Sequence, residues 1–410
     1  MKILSILDAV IYWSIVIMPF SVAIAPGLAN TFIGIFGAFF VIKKLITRQP
    51  FSIDRLTLVF FSLFFLFSLA SVANSVSFNS SFGGVSKLLK AFLILLVCSQ
   101  EIKDKRHVQR IIISICAGVT LMSVDALWQV IFGYDFVRHN VLQSAIGMIR
   151  PTASFPNPNV FGVYMSALTP VIFGLTFFYF SGRKKILMFF LSVLAFIGIY
   201  LTLSRGSGLG VYLAVLFLSI AKRRKILTTA LIAVLIIFPF VMPKNIKEWA
   251  KQVNYNPLVF MCNQDRISIY NNTINMIRHH PFIGVGLNTF SKNYGKYKLQ
   301  SAEEYAHTPD TIYAHNIYLH MAGETGLLGL FAFLGFLFVV FKQAARALGK
   351  LNDDYLKTVA MCLIACLIAF LINGLTETSL YYSRVSMIFW YLIGFSLALN
   401  KFTNEAKSAN

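Results

Sequence analysis

Apolar runs of about 20 residues alternate with short polar stretches along the whole chain, and this alternation predicts twelve helices. They fall at about 6–24, 29–47, 56–73, 87–98 and beyond, 108–131, 159–181, 186–203, 207–221, 226–242, 312–341, 356–374 and 384–400. A transmembrane barrel would need alternating segments of roughly ten residues, which the sequence lacks. The expected organisation is residues 1–243 with nine transmembrane helices, a large polar segment at 244–310 with an amphipathic helix, and residues 311–410 with three more helices. Prolines in Pro151-Thr-Ala-Ser-Phe-Pro-Asn-Pro158 predict an extended loop within 132–158.

Composition supports this reading, with 57% hydrophobic and only 13% charged residues against roughly 25% charged in soluble domains. The net charge of +20 does not imply nucleic acid, because the basic residues come in short groups between apolar runs. Of the 36 Lys and Arg, 22 lie in groups such as Lys43-Lys44, Arg183-Lys-Lys185 and Lys222-Arg-Arg-Lys225, on the side where a positive-inside topology puts the cytoplasm. Both termini are then cytoplasmic, and 132–158, Arg205, 244–310 and His315 share the outer face. Asp8 interrupts the first apolar run and Pro26 follows it, so the first segment reads as a retained helix despite a signal-like Ala23-Ile-Ala25. The five cysteines are scattered and indicate neither disulfides nor zinc.

Candidate chemistry concentrates on that outer face. Asn263, Gln264 and Asp265 can cap a helix on which Ile267, Tyr270, Ile274 and Ile277 recur at helical spacing. Arg266 falls in its first turn, where a cation is unfavourable to the helix dipole unless an anion is near. His280-Pro281 ends the helix, and Gly284-Val-Gly286 predicts a flexible turn. Arg205, within Ser204-Arg-Gly-Ser-Gly208, is either an interfacial arginine reaching the headgroups or a bidentate phosphate ligand. His315 is either a satisfied histidine at a helix entrance or a base able to take a proton from a hydroxyl. On a helix it would share a stripe with Leu319, Ala322 and Gly326, a possible docking groove. His279, His280 and His307 read as loop-surface residues. No Asp-x-Asp exists to hold a metal against a pyrophosphate, Asp353-Asp354 is on the cytoplasmic side and Glu303-Glu304 reads as a solvated pair, so no metal or cofactor is expected.

The run of His315-Asn316, nine intervening residues and then Gly326-Leu-Leu-Gly329 resembles the signature of the O-antigen ligase family, which shares a domain with O-antigen polymerases. Ser204-Arg205-Gly206, Asp265-Arg266 and His280-Pro281-Phe-Ile-Gly284-Val-Gly286 support the resemblance. It implies an all-α, GT-C-like membrane glycosyltransferase of a bacterial inner membrane. The implied reaction moves a polysaccharide from undecaprenyl pyrophosphate to the lipid A core oligosaccharide in one inverting displacement. His315 would be the base, Arg205 and Arg266 would stabilise the pyrophosphate, and Asn316, Gly326 and Gly329 would contribute to substrate binding. Lys87, Lys90, Arg138 and Arg150 are further candidates for anionic contacts. A polymerase of the same superfamily is the nearest alternative. A transporter would instead show internal repeats and ionisable residues near the bilayer midplane.

Overall fold

A computed structural model describes residues 2–145, 148–241, 264–299 and 308–403, with 247, 248, 251, 256 and 262 between them. The described chain is nearly all helical. In chain order the helices are α1 (Lys2–Ile24), α2 (Pro26–Thr47), α3 (Arg55–Ser71), α4 (Phe78–Glu101), α5 (Lys105–Phe132), α6 (Pro158–Phe178), α7 (Gly182–Leu201), α8 (Arg205–Ala221) and α9 (Lys225–Val241). Then follow α10 (Gln264–His279), the short α11 (Phe290–Asn293), α12 (Ile317–Lys350), α13 (Asp354–Asn373) and α14 (Ser383–Ala398). Among the described residues nine helices are long and apolar enough to cross a membrane, and α8, α9 and α14 are shorter apolar ones. These twelve coincide with the twelve expected segments, and the chain is a multi-pass membrane protein.

Helix α6 is buried along nearly its whole length, packed by α7, α8 and α13, while α14 lies on α4 and α12 on α3. Helices such as α3 and α7 bury one face only and leave apolar side chains exposed, as a lipid-facing helix should. Three expectations need correction. The 132–158 loop is not simply extended: β1 (Gln143–Ala145) and β2 (Met148–Arg150) pair antiparallel with Gln143 opposite Arg150. Helix α4 begins at Phe78 rather than near 87, and Leu287 and Asn288 press against its first turns at Gly84. The basic groups between apolar runs are not all solvated, since the ends of α2 and α4 include buried charges. Lys43 reaches Asp8 at 2.6 Å and Glu101 at 2.7 Å, and both Lys43 and Glu101 are buried.

The polar segment builds a small second core on the start of α12, from Ile269, Met276, Val285, Phe290, Tyr294 and Ala314. The buried face of α10 is therefore Ser268, Ile269, Asn272, Thr273 and Met276, not the Ile267–Ile277 stripe, whose Ile274 is exposed. Neighbours decide which face a short helix buries, and here the neighbours demand small polar residues. Asn263, Glu303, Glu304 and His307 lie outside the described residues.

Gly284-Val-Gly286 is a fixed turn, not a flexible one. Helix α12 breaks at Gly326 (φ 70°, ψ −179°). In an unbroken helix the Leu327 N–H would bond the Gly323 carbonyl. Here Leu327 N–H donates to the Pro281 carbonyl at 2.8 Å, and the Gly323 carbonyl accepts from Val285 N–H at 2.9 Å. Gly286 N–H adds a bond to the Glu324 carbonyl at 3.1 Å. The loop thus takes up the backbone groups that the kink releases.

Gly326→Ala would force a Cβ into the Phe282 carbonyl in a left-handed backbone conformation. A loss of about 2 kcal/mol or more is expected, read as a lower melting temperature in detergent. Gly349→Ala, which meets open space on the same helix, should leave the melting temperature equal or higher.

Candidate functional site

The entrance to α12 carries the site. Asn316 caps the helix by accepting the N–H groups of Tyr318 (2.9 Å) and Leu319 (3.0 Å), and its amide donates to the Leu375 carbonyl at 3.0 Å. This fixes the start at Ile317 rather than 312, and it leaves His315 outside the helix. The stripe of His315 with Leu319, Ala322 and Gly326 therefore does not form, and Asn316 is occupied in capping. Gly326 and Gly329 do not line a groove below the imidazole either; a Cβ on the first would meet Phe282, and on the second the Thr325 side chain. Their small size serves the kink.

His315 has a positive φ of 48°, a conformation that costs a non-glycine residue of order 1 kcal/mol and persists only where surroundings impose it. The single Tyr270 O–H is shared between the His315 and Leu375 carbonyls, each at 3.0 Å, and Ile317 N–H donates to the Gly374 carbonyl at 2.8 Å. Helix α10 and the turn after α13 thus clamp the histidine backbone.

The side chains meet on Glu377, a residue that the sequence did not single out. Its carboxylate is 4% exposed, with Oε1 at 3.2 Å from His315 Nδ1 and Oε2 at 3.3 Å from Arg266 Nη2. Arg266 Nη1 donates to the Thr376 carbonyl at 2.5 Å. Burial pushes the carboxyl upward, but the hydrogen bond and charge of His315 and the charge of Arg266 outweigh it and hold Glu377 below the usual glutamate value. The unfavourable cation in the first turn of α10 has its anion here. An ionised carboxylate only accepts, so the shared proton resides on Nδ1. In the neutral ring, Nε2 then carries the lone pair, and it has no hydrogen-bond partner among the described residues.

Two more arginines stand close. Arg205 is the first residue of α8, whose N-cap Ser204 accepts from Ser207 N–H. Gly206 lets Thr376 approach, and Ser207 Oγ accepts from Asn373 Nδ2 at 2.8 Å, so the serine-glycine motif docks α8 on the Glu377 turn. Arg150, at the end of β2, donates from Nε to the Thr202 carbonyl at 2.8 Å and from Nη2 to Asn159 Oδ1 at 2.7 Å. Burial lowers its pKa, as do the positive charges of Arg266 and Arg205, with Glu377 opposing. Arg266 alone pairs with the carboxylate, while Arg150 and Arg205 lie close enough to feel the charge of Arg266, an excess of positive charge suited to a diphosphate.

The remaining candidates lie apart from this cluster. Lys90 Nζ donates to Asn30 Oδ1 at 3.0 Å, and Arg138 is exposed on the turn that Asp135 organises. Lys87 lines a neighbouring cleft, its Nζ bonded to Asn288 Oδ1 at 3.0 Å. His279 is exposed, whereas His280 is half-buried and bonds the Tyr297 hydroxyl at 2.7 Å. Among the described residues no three His, Cys, Asp or Glu side chains form a group able to hold a metal ion. The one sequence signal for Glu377 was an acidic residue in the short polar interval between the last two apolar runs.

Glu377→Gln should keep the shape and lose the charge that orients His315, lowering activity on the order of 10- to 1000-fold. Because the folded pKa is depressed, the carboxylate's contribution to stability is present above its unfolded value and is lost as pH falls through the folded one. The melting-temperature difference between wild type and Glu377→Gln should therefore shrink as pH falls below the range in which an unfolded glutamate ionises. A difference that did not shrink at low pH would contradict an ionised Glu377.

Residues 190–334 match the family model described as O-antigen ligase, an interval that contains Arg205, Arg266, His315, Gly326 and Gly329 but neither Arg150 nor Glu377. The chain is also 24% identical over 330 residues to a protein of Salmonella muenchen named O-antigen polymerase, covering 72% of this chain and 77% of that one. The motif around His315 lies inside the matched interval: residues 190–334 are similar to the O-antigen ligase family, within a multi-pass membrane protein.

Proposed function

We propose that this protein is a membrane glycosyltransferase that moves a glycan from a polyprenyl pyrophosphate, of the undecaprenyl kind, to a sugar hydroxyl. The observation that carries the reading is the Glu377 carboxylate joining His315 to Arg266 beside Arg205 and Arg150. His315 Nε2 takes the proton of the attacking hydroxyl while Glu377 holds the ring through Nδ1. The hydroxyl oxygen bonds to the anomeric carbon from the face opposite the leaving group, the bond from that carbon to the pyrophosphate oxygen breaks, and configuration inverts. The electron pair leaves on the pyrophosphate, where the three guanidiniums stabilise it. A pyrophosphate is already a good leaving group, so charge stabilisation matters more than acid catalysis.

The basic groups at the opposite end of the helices support cytoplasmic termini and a site facing the periplasm of a bacterial inner membrane. The acceptor is where the two similarities part. The match to the polymerase covers about twice as much of this chain as the match to the ligase family model, which favours a second lipid-linked glycan as acceptor. The motif around His315 is what speaks for the lipid A core instead.

Replacing His315, Arg205 or Arg266 with alanine and running the cells' lipopolysaccharide on a gel tests both readings. Loss of polymerase activity leaves core carrying a single repeat. Loss of ligase activity removes the polymer from the core while lipid-linked polymer accumulates. Normal lipopolysaccharide from properly inserted variants would reject the transfer reading altogether.

A further inference from the structure

One residue beyond Glu377, Thr378 lines a cleft between α4, α12 and the turn before α14, with a volume of about 100 Å³ and a side open to solvent. Two residues of its lining carry three buried polar atoms that have no hydrogen-bond partner among the described residues: Thr378 Oγ1 and both ring nitrogens of His320. His320 Nε2 lies 3.3 Å from Glu324 Oε1, but the geometry is not that of a hydrogen bond, and that oxygen already accepts the Phe290 N–H at 3.0 Å. Folded proteins seldom leave buried polar atoms unsatisfied, and three in one cleft call for a polar occupant.

The rest of the lining narrows the chemistry. Tyr381 and Trp390 line the same cleft, and the Tyr381 ring lies 4.5 Å from the ring of Tyr313, two residues before His315. Lys87 Nζ sits 4.5 Å over the Tyr381 ring, and Asn288 holds it there. Leu88, Leu287 and Met321 supply apolar walls. A fatty acyl chain would suit those walls and leave His320 and Thr378 unpaired. A small anion would meet Lys87 but also Glu324, and would leave the aromatic faces unused. A pyranose ring has both an apolar C–H face for the aromatics and hydroxyls at fixed angles for His320, Thr378 and Glu324.

We infer that this cleft binds a sugar ring of the acceptor glycan and so presents a hydroxyl to His315. The word acceptor rests on the transfer reading above; the sugar-binding cleft itself does not. His320 and Thr378 are binding residues here, distinct from the groups that handle the proton and the pyrophosphate. The cleft adjoins the proposed reaction centre through the consecutive residues Glu377 and Thr378.

The test uses the full chain in lipid nanodiscs. The probe is the glycan released by mild acid from the surface polysaccharide of cells that carry the protein, free of lipid. Binding is followed by the rise in melting temperature and by quenching of tryptophan fluorescence. Wild type and His315→Ala should both bind it. Thr378→Val and His320→Phe, the latter keeping a ring against Phe290, should bind at least tenfold more weakly. Both should melt at or above the wild-type temperature without glycan, because each removes buried polar atoms that lack a partner. Equal glycan binding by these two variants would overturn the inference, as would binding of palmitate but not glycan to the wild type. Loss of binding in His315→Ala alone would also overturn it, by moving the glycan to the other site. Unchanged lipopolysaccharide in His315→Ala cells would sink the transfer reading and leave the binding result standing.

Discussion

A single buried carboxylate links three parts of the chain that are far apart in sequence. Glu377 belongs to the turn between α13 and α14, Arg266 to the first turn of α10, and His315 to the entrance of α12. Removing a carboxylate from water is unfavourable unless it is paired and hydrogen-bonded, and two cationic or donor side chains together with the turn's own backbone meet that requirement. The same contacts orient the imidazole, keep its proton on Nδ1 and bring a guanidinium to the place where three arginines gather. Stability of the turn and readiness of the site are therefore one arrangement.

The kink in α12 determines where that arrangement sits. A helix broken at Gly326 exposes backbone groups that would otherwise pair along its axis, and the segment from Pro281 to Gly286 supplies their partners. The loop thereby anchors α10 and, through the small core around Ile269, Met276 and Phe290, holds Ala314, the residue before His315. Two short glycine-containing motifs separated by some 40 residues turn out to be halves of one junction. Their role is mechanical, and it is exercised at a distance from the imidazole.

Buried charges also tie the helices at both ends of the molecule. Arg384, at the start of α14, donates to the carbonyls of Val22 and Ser154 at 2.8 and 2.6 Å and lies over the Phe155 ring. It fastens α14 to the C-terminal end of α1 and to the proline-rich loop before α6. At the other end Lys43 joins α1, α2 and the end of α4 through Asp8 and Glu101. In a membrane, where apolar contacts alone discriminate poorly among helix arrangements, such pairs specify which helices adjoin.

Composition and hydrophobic period alone determined the helical membrane fold, because a segment that crosses a bilayer must satisfy its own backbone and be apolar over about 20 residues. The sequence likewise pointed to Arg205, Arg266 and His315, since local motifs around them are distinctive. What it could not carry were relations between distant segments. The buried face of α10, the non-helical His315, the capping use of Asn316 and the joining of Arg150 to the cluster all depend on which surfaces meet. Glu377 is the clearest case: as a letter it is an ordinary acid between two apolar runs, and only burial between an arginine and a histidine gives it a part in chemistry. Periodicity encodes how a segment meets its surroundings on average, whereas a site requires particular atoms within about 3 Å of one another, which only the tertiary packing decides.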